Sequence, residues 1–114
     1  MKKMKKLILI LFLFNCFLNI HSQKVYSVQY SSQADVKVFV VNYESQADLL
    51  VYKVDYESQA GKNDGQWYFV QYESQANKKI YFVDYESQAD LKIYFVKYSS
   101  QAGWKNSSKQ HLMY

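Results

Sequence analysis

The 114-residue sequence has no proline, three glycines and a single cysteine, and every one of its 14 basic residues is lysine. Each scarcity excludes something. Without proline, nothing forbids backbone pairing anywhere along the chain. Without a second cysteine there is no internal disulfide, so a small fold must be held by other means. Beyond residue 22 one histidine remains, His111. A serine nucleophile needs a base and a group to orient that base, and a zinc site needs several nitrogen or sulfur ligands. One histidine and no cysteine supply neither. Asp35, Asp48, Asp90, Glu44, Glu57, Glu73 and Glu86 recur near turns, and they read as solvated turn charges rather than calcium ligands or a glycosidase pair. No enzyme activity, metal or cofactor is expected.

Long apolar runs are scarce too. The one that exists, Leu7–Phe14, follows Lys2, Lys3, Lys5 and Lys6 and precedes Ile20-His21-Ser22. That is the plan of a secretion signal, with cleavage expected after Ser22. Asn15 and Asn19 interrupt the run, which falls short of the ~20 apolar residues a membrane span needs. No transmembrane helix is expected in the mature chain. Cys16 lies inside this leader. A lipid anchor there is the lesser alternative, because Asn15 is not the small residue that lipoprotein processing favours before the cysteine. The expectation is a secreted or periplasmic protein.

The formal charge of +4 belongs to the leader. Four of the 14 lysines lie in residues 1–22, and the ten that remain balance ten acidic residues. The electrostatic footprint of a nucleic-acid binder is therefore missing.

What the chain does have is repetition. Tyr-(Ser/Glu)-Ser-Gln-Ala occurs six times, beginning at Tyr30, Tyr43, Tyr56, Tyr72, Tyr85 and Tyr98. The starts are 13 residues apart, except for 16 between Tyr56 and Tyr72. Each copy follows a run rich in β-branched and aromatic residues, such as Lys79-Ile80-Tyr81-Phe82-Val83-Asp84-Tyr85, which reads as a strand and its turn. Alternation along the strand puts Tyr81, Val83 and Tyr85 on one face. The other copies present Tyr26-Val28-Tyr30, Phe39-Val41-Tyr43, Tyr52-Val54-Tyr56, Tyr68-Val70-Tyr72 and Tyr94-Val96-Tyr98. This face is expected to be the core. The opposite face begins apolar at Val25, Val38, Val51, Trp67, Ile80 and Ile93 and ends polar, so one end of each strand is expected to be buried on both sides.

The fold expected is all-β, with six short strands in two pseudo-symmetric halves of three repeats. The domain spans residues 23–104, with a tail over 105–114 and a joint at 61–66. The invariant Gln33, Gln46, Gln59, Gln75, Gln88 and Gln101 are expected to bind neighbouring backbone at dry crossings, with the following alanines permitting close approach. A row of exposed glutamines facing a ligand is the competing reading.

The reiterated strand plus Tyr-Glu-Ser-Gln-Ala-Asp, as in Val83-Asp84-Tyr85-Glu86-Ser87-Gln88-Ala89-Asp90, resembles the septoil knot domain family of small bacterial proteins. The likeness covers about residues 24–104. It implies a compact, deeply knotted β fold whose backbone ties a seven-crossing torus knot, and it implies no activity or site residues. Ser31 and Ser99 depart from the pattern, standing where the other copies carry glutamate.

Function is sought where symmetry breaks, at Lys62, Asn63, Asp64 and Trp67 in the joint and at Trp104 near the end. Two aromatic platforms there would suit a glycan or an extracellular protein. The reading is an exported, monomeric, non-enzymatic β domain that acts by binding or as a persistent extracytoplasmic module. The alternative is a structural, fibre-forming repeat, amyloid-like or a β-solenoid.

Overall fold

The computed structural model describes residues 23–114; the expected leader, its cleavage site and Cys16 lie outside the described residues. Seven strands form: β1 (Lys24–Ser27), β2 (Val36–Val40), β3 (Leu49–Lys53), β4 (Gln66–Phe69), β5 (Lys78–Phe82), β6 (Leu91–Phe95) and the two-residue β7 (Gly103–Trp104). The first six are the expected repeat strands, built from Val, Ile, Leu, Tyr and Phe.

Each of these six runs into a single 3₁₀ turn over (Glu/Ser)-Ser-Gln. The tyrosine carbonyl accepts from the glutamine N–H at 2.9–3.1 Å, and the next carbonyl accepts from the alanine N–H at 3.1–3.2 Å. The alanine is already extended, with φ between −86° and −62°. The helix therefore stops after one turn, as short 3₁₀ segments do.

The strands pair in the order β4–β1–β5–β2–β6–β3, and the additional pairing of β3 with β4 closes the ring. All six contacts in the ring are parallel, while β7 lies antiparallel on β3. The result is a closed barrel and not the open stack of a solenoid. Strands consecutive within a half never pair; the halves interleave, and the chain circles the barrel axis more than once in a single sense. Because all six strands point the same way, each connection must carry the chain back along the outside. Those return segments cover the outer face that helices cover in most parallel sheets.

Register determines the core. Val38 sits opposite Phe82 of β5 and Leu91 of β6, and Ile80 opposite Ser27 of β1 and Val36 of β2. Each strand thus pairs with one neighbour through its leading half and the other through its trailing half, and the register advances by two residues per strand. In a closed barrel that stagger brings equivalent residues to one level, and a small barrel fills its interior with side chains. The central level is Val25, Val38, Val51, Trp67, Ile80 and Ile93, every one fully buried. Val36, Leu49 and Leu91 extend the core towards one end. Burying a side chain of this size contributes about 1.5–3 kcal/mol.

The expected core face is therefore inverted. Tyr30, Tyr43, Tyr56, Tyr72, Tyr85 and Tyr98 are exposed, and Tyr26, Tyr52, Tyr68, Tyr81 and Tyr94 are half-buried on the outer wall. On that face Val28, Val41, Val54 and Val70 are buried and Val83 and Val96 half-buried, in the outer belt beneath the return segments, where Val41 packs with Ala47, Leu50, Phe39, Tyr94 and Val96. The physical reason is space. A six-stranded barrel has room for Val, Ile and one Trp per level, whereas its outer wall accepts flat rings whose hydroxyls reach water.

Two devices fix the arrangement. Every valine that follows a strand donates its N–H to the carbonyl of the central residue on a neighbouring strand, as from Val41 to Ile93 and from Val83 to Val38. At the start of the next strand an acidic or amide residue clasps the opposite half. Asp48 N–H donates to Lys92 O at 2.8 Å, and Asp48 Oδ2 accepts from Lys92 N–H at 2.9 Å. Asp35 with Lys79, Asp90 with Lys37 and Asn77 with Lys24 repeat the exchange. The two remaining positions are Gly61 and Gly103, where the halves end.

Residues 105–114 belong to the domain and are not a free tail. A 3₁₀ segment, Ser107–Met113, folds back and buries Met113 completely against the core. Gln23 Nε2 donates to Met113 O at 2.9 Å. Gln23 Oε1 and Trp67 Nε1 are buried without a partner, at a cost of order 1–3 kcal/mol each.

Candidate functional site

The six tyrosines that head the turns are the outstanding surface feature. Each exposes 60–68% of its surface, and among the described residues the only other large exposed hydrophobics are Val40 and Tyr114. Their backbones nearly superimpose, with φ between −130° and −123° and ψ between 139° and 144°. The side chains therefore leave the backbone in one repeated direction at all six turns. Serine, glutamine and, in four copies, glutamate stand beside each ring. An aromatic face flanked by hydroxyl, amide and carboxylate groups offers both a flat apolar contact and hydrogen bonding.

The glutamines are exposed, so the expected dry crossings are corrected. Three of them bind backbone, but within their own turns. Gln33 Oε1 accepts from Tyr30 N–H at 3.3 Å and Gln101 Oε1 from Tyr98 N–H at 3.3 Å. Gln59 Oε1 accepts from Tyr56 N–H at 3.1 Å and Asp55 N–H at 3.2 Å. The side chain satisfies a donor at the head of a helical turn, which is a capping role. Of the alanines, Ala47 is buried against the outer wall and the other five are half-buried.

Four of the five symmetry-breaking residues take structural roles. Trp67 fills the barrel and offers no surface. Trp104 is half-buried, and its Nε1 donates to Asn63 O at 3.0 Å. Asn63 is buried, takes a positive φ of 72° and donates through Nδ2 to Gln110 O. Asp64 Oδ1 accepts from Gln66 N–H within the joint, and Lys62 is exposed. The two tryptophans therefore form no paired platform. The joint and the C-terminal segment brace each other instead.

Three of the four glutamates next to the tyrosines engage strand lysines. Glu73 pairs with Lys79 at 3.4 Å, Glu86 with Lys92 at 3.5 Å and Glu57 with Lys24 at 3.2 Å. Where Ser31 replaces glutamate, a half-open groove of about 360 Å³ lies between the first and fifth turns, lined by Ser31, Lys37, Tyr81, Val83, Asp84, Tyr85 and Gln88. Repeat counting signalled the departure at Ser31, but not its result. The tyrosine surface itself was missed because rings at period two read as core.

Among the described residues no helix is long and apolar enough to cross a membrane. Comparison with known proteins finds no match among curated proteins or solved structures. The profile of the 7(1) septoil knot domain matches residues 22–105, the span that holds all six ring strands, their turns and the clasps between the halves. The chain belongs to the septoil knot domain family.

Proposed function

We propose that this chain is an exported, non-enzymatic binding module whose tyrosine turns engage a repetitive glycan outside the cytoplasm. The observation that carries the reading is the set of six equivalent, exposed tyrosines on near-identical backbone. Aromatic rings stack on the C–H faces of sugars, while the neighbouring serines, glutamines and glutamates match sugar hydroxyls. Contacts that are individually weak gain by avidity when the ligand repeats as the protein does. A repeating polysaccharide supplies that match better than the irregular surface of a globular partner.

The test is affinity electrophoresis of the chain through gels containing neutral and acidic polysaccharides. Each aromatic contact is worth about 0.5–1.5 kcal/mol, so replacing one tyrosine by alanine reduces retardation modestly. The combination Tyr56→Ala, Tyr72→Ala and Tyr98→Ala should abolish it while leaving the folded spectrum intact. Full retardation of that triple variant refutes the reading. Export is tested by the intact mass of the protein from its native host, with a mature start near Gln23 expected. A retained leader, or a chain beginning at lipidated Cys16, refutes soluble release.

A second reading, persistence, is favoured by the closed ring of interleaved halves. We infer that the chain, climbing the barrel wall and returning outside it while circling the axis, ties the seven-crossing torus knot of the family's description. A ring with no free edge among its six strands, and a path that must unthread to unfold, slow local opening and deny proteases an extended substrate. Limited proteolysis at 37 °C tests this. Rapid cleavage within Ile80–Tyr98 overturns it.

A further inference from the structure

The six turns are equivalent in the ring, but their polar chemistry is not. In two copies the glutamate after the tyrosine binds the lysine six residues later, as Glu73 binds Lys79 and Glu86 binds Lys92; in a third, Glu57 binds Lys24 of β1. The first copy keeps the lysine, Lys37, and replaces the glutamate with Ser31, as the sixth does with Lys105 and Ser99. Among the described residues the Lys37 ammonium has no ion pair. Its backbone N–H is bound by Asp90 Oδ2 at 2.9 Å, so the residue that positions it is a clasp and not a partner for its charge. The groove of about 360 Å³ opens at this copy. Its walls are Tyr81 and Val83; Tyr85 and Gln88 come from the fifth turn, and Asp84 stands beside Tyr85. The volume is of the order that small-ligand sites use.

We propose that this groove is a subsite for a sugar residue bearing a carboxylate. The assignment rests on the glycan reading above and sharpens it. The missing glutamate defines the ligand's charge, because the substrate carboxylate takes the place that Glu73 and Glu86 occupy against their lysines. Ser31 Oγ adds a donor small enough to leave room for it. The ring of the sugar lies against Tyr85. Asp84 repels a carboxylate, so it faces the hydroxyl edge, where an ionised carboxyl accepts hydrogen bonds from sugar hydroxyls and Gln88 serves either polarity. The groove thus prescribes an orientation, acid towards Lys37 and hydroxyls towards Asp84.

The experiment is a ¹⁵N NMR titration of the full chain with methyl β-D-glucuronide and, separately, methyl β-D-glucoside at low ionic strength. The glucuronide is expected to shift the amides of Ser31, Lys37, Tyr85 and Gln88 and to bind about threefold to fivefold tighter, the size of one exposed ion pair. Raising the salt should erase that margin. Ser31→Glu rebuilds the ion pair of the other copies without threatening the fold, and it should remove the acid preference. Lys37→Gln should do the same, and Ser99→Glu should leave it intact. Equal binding of the two sugars, an acid preference that survives Ser31→Glu, or shifts confined to other turns would each overturn the proposal. Retardation by neutral polysaccharide together with any of these results leaves the tyrosine reading standing. Loss of all retardation in wild-type protein overturns both.

Discussion

Replacing Asp48 by alanine tests whether the clasps hold the halves in register. Asp48 is buried, and its side chain accepts from Lys92 N–H at 2.9 Å and from Asn106 Nδ2 at 3.3 Å. Its Oδ2 also lies 3.5 Å from Lys109 Nζ. The Lys109 side chain is about one-third exposed and keeps a bond to Asp90 O at 3.1 Å, so this pair contributes only a few tenths of a kcal/mol. Losing the charge-assisted bond to Lys92, and leaving that N–H unpaired in a partly buried place, costs about 1.5–3 kcal/mol. With Asn106 added, the expected loss is about 3 kcal/mol. Asp35→Ala breaks the same exchange, with Lys79, at an exposed site where water can replace the carboxylate. It should cost about 1 kcal/mol. Asp48→Asn keeps an acceptor, as Asn77 does for Lys24, and should fall between the two. The assay is urea unfolding at equilibrium, with samples incubated from both directions until the curves superimpose. A smaller midpoint at unchanged slope reports the lost stability. An Asp48→Ala midpoint no lower than that of Asp35→Ala would refute the idea that burial makes this clasp the strongest.

Gly65→Ala should destabilise by more than 2 kcal/mol: φ is +89° and an added Cβ would stand 2.3 Å from Leu50 O, a strained conformation and a clash with backbone that cannot give way; a thermal midpoint within about 2 °C of wild type would contradict this. Gln46→Ala should change stability by under about 0.5 kcal/mol, since the side chain is exposed, whereas Gln59→Ala loses an acceptor for two N–H groups and should cost about 0.5–1 kcal/mol; equal urea midpoints for both variants would refute the capping role. Met113→Ala leaves a hole against the core and should cost about 2–4 kcal/mol; a change below 0.5 kcal/mol by the same assay would show that residues 105–114 do not close the barrel.

The strands and turns were legible because period-two runs and a recurring pentapeptide are local signals. The inward face was not, because both faces of each strand carry apolar residues. Uniformity across the six repeats favours Tyr81-Val83-Tyr85 over the more variable face of Ile80 and Phe82, whereas barrel width decides for the latter. The order of strands was illegible for a different reason. Near-identical repeats carry no information about which pairs with which, so nothing local distinguishes β1 beside β5 from β1 beside β2. A signal for the clasps was present and overlooked: Asp35, Asp48, Asn77 and Asp90 all follow Gln-Ala, and glycine replaces them only where a half ends. At the surface, the exchange of Glu for Ser31 could be read from the sequence, but the unpaired Lys37 and the groove beside it needed the ring.

Every strand contact in the barrel joins residues of the first half to residues of the second. A nascent chain that has emerged only as far as Ala60 therefore holds three strands and no partner for any of them. It can form its 3₁₀ turns, which are local, and nothing of the sheet. Loop-closure entropy must be met in full before the first ladder bond appears, and all parts of the barrel then become ordered together. The exposed hazard is a meeting of two molecules at this stage, because one chain's first half is complementary to any copy's second half and an exchanged dimer would satisfy the same bonds. The short joint at 61–66 acts against that outcome by keeping each half's own complement at high local concentration.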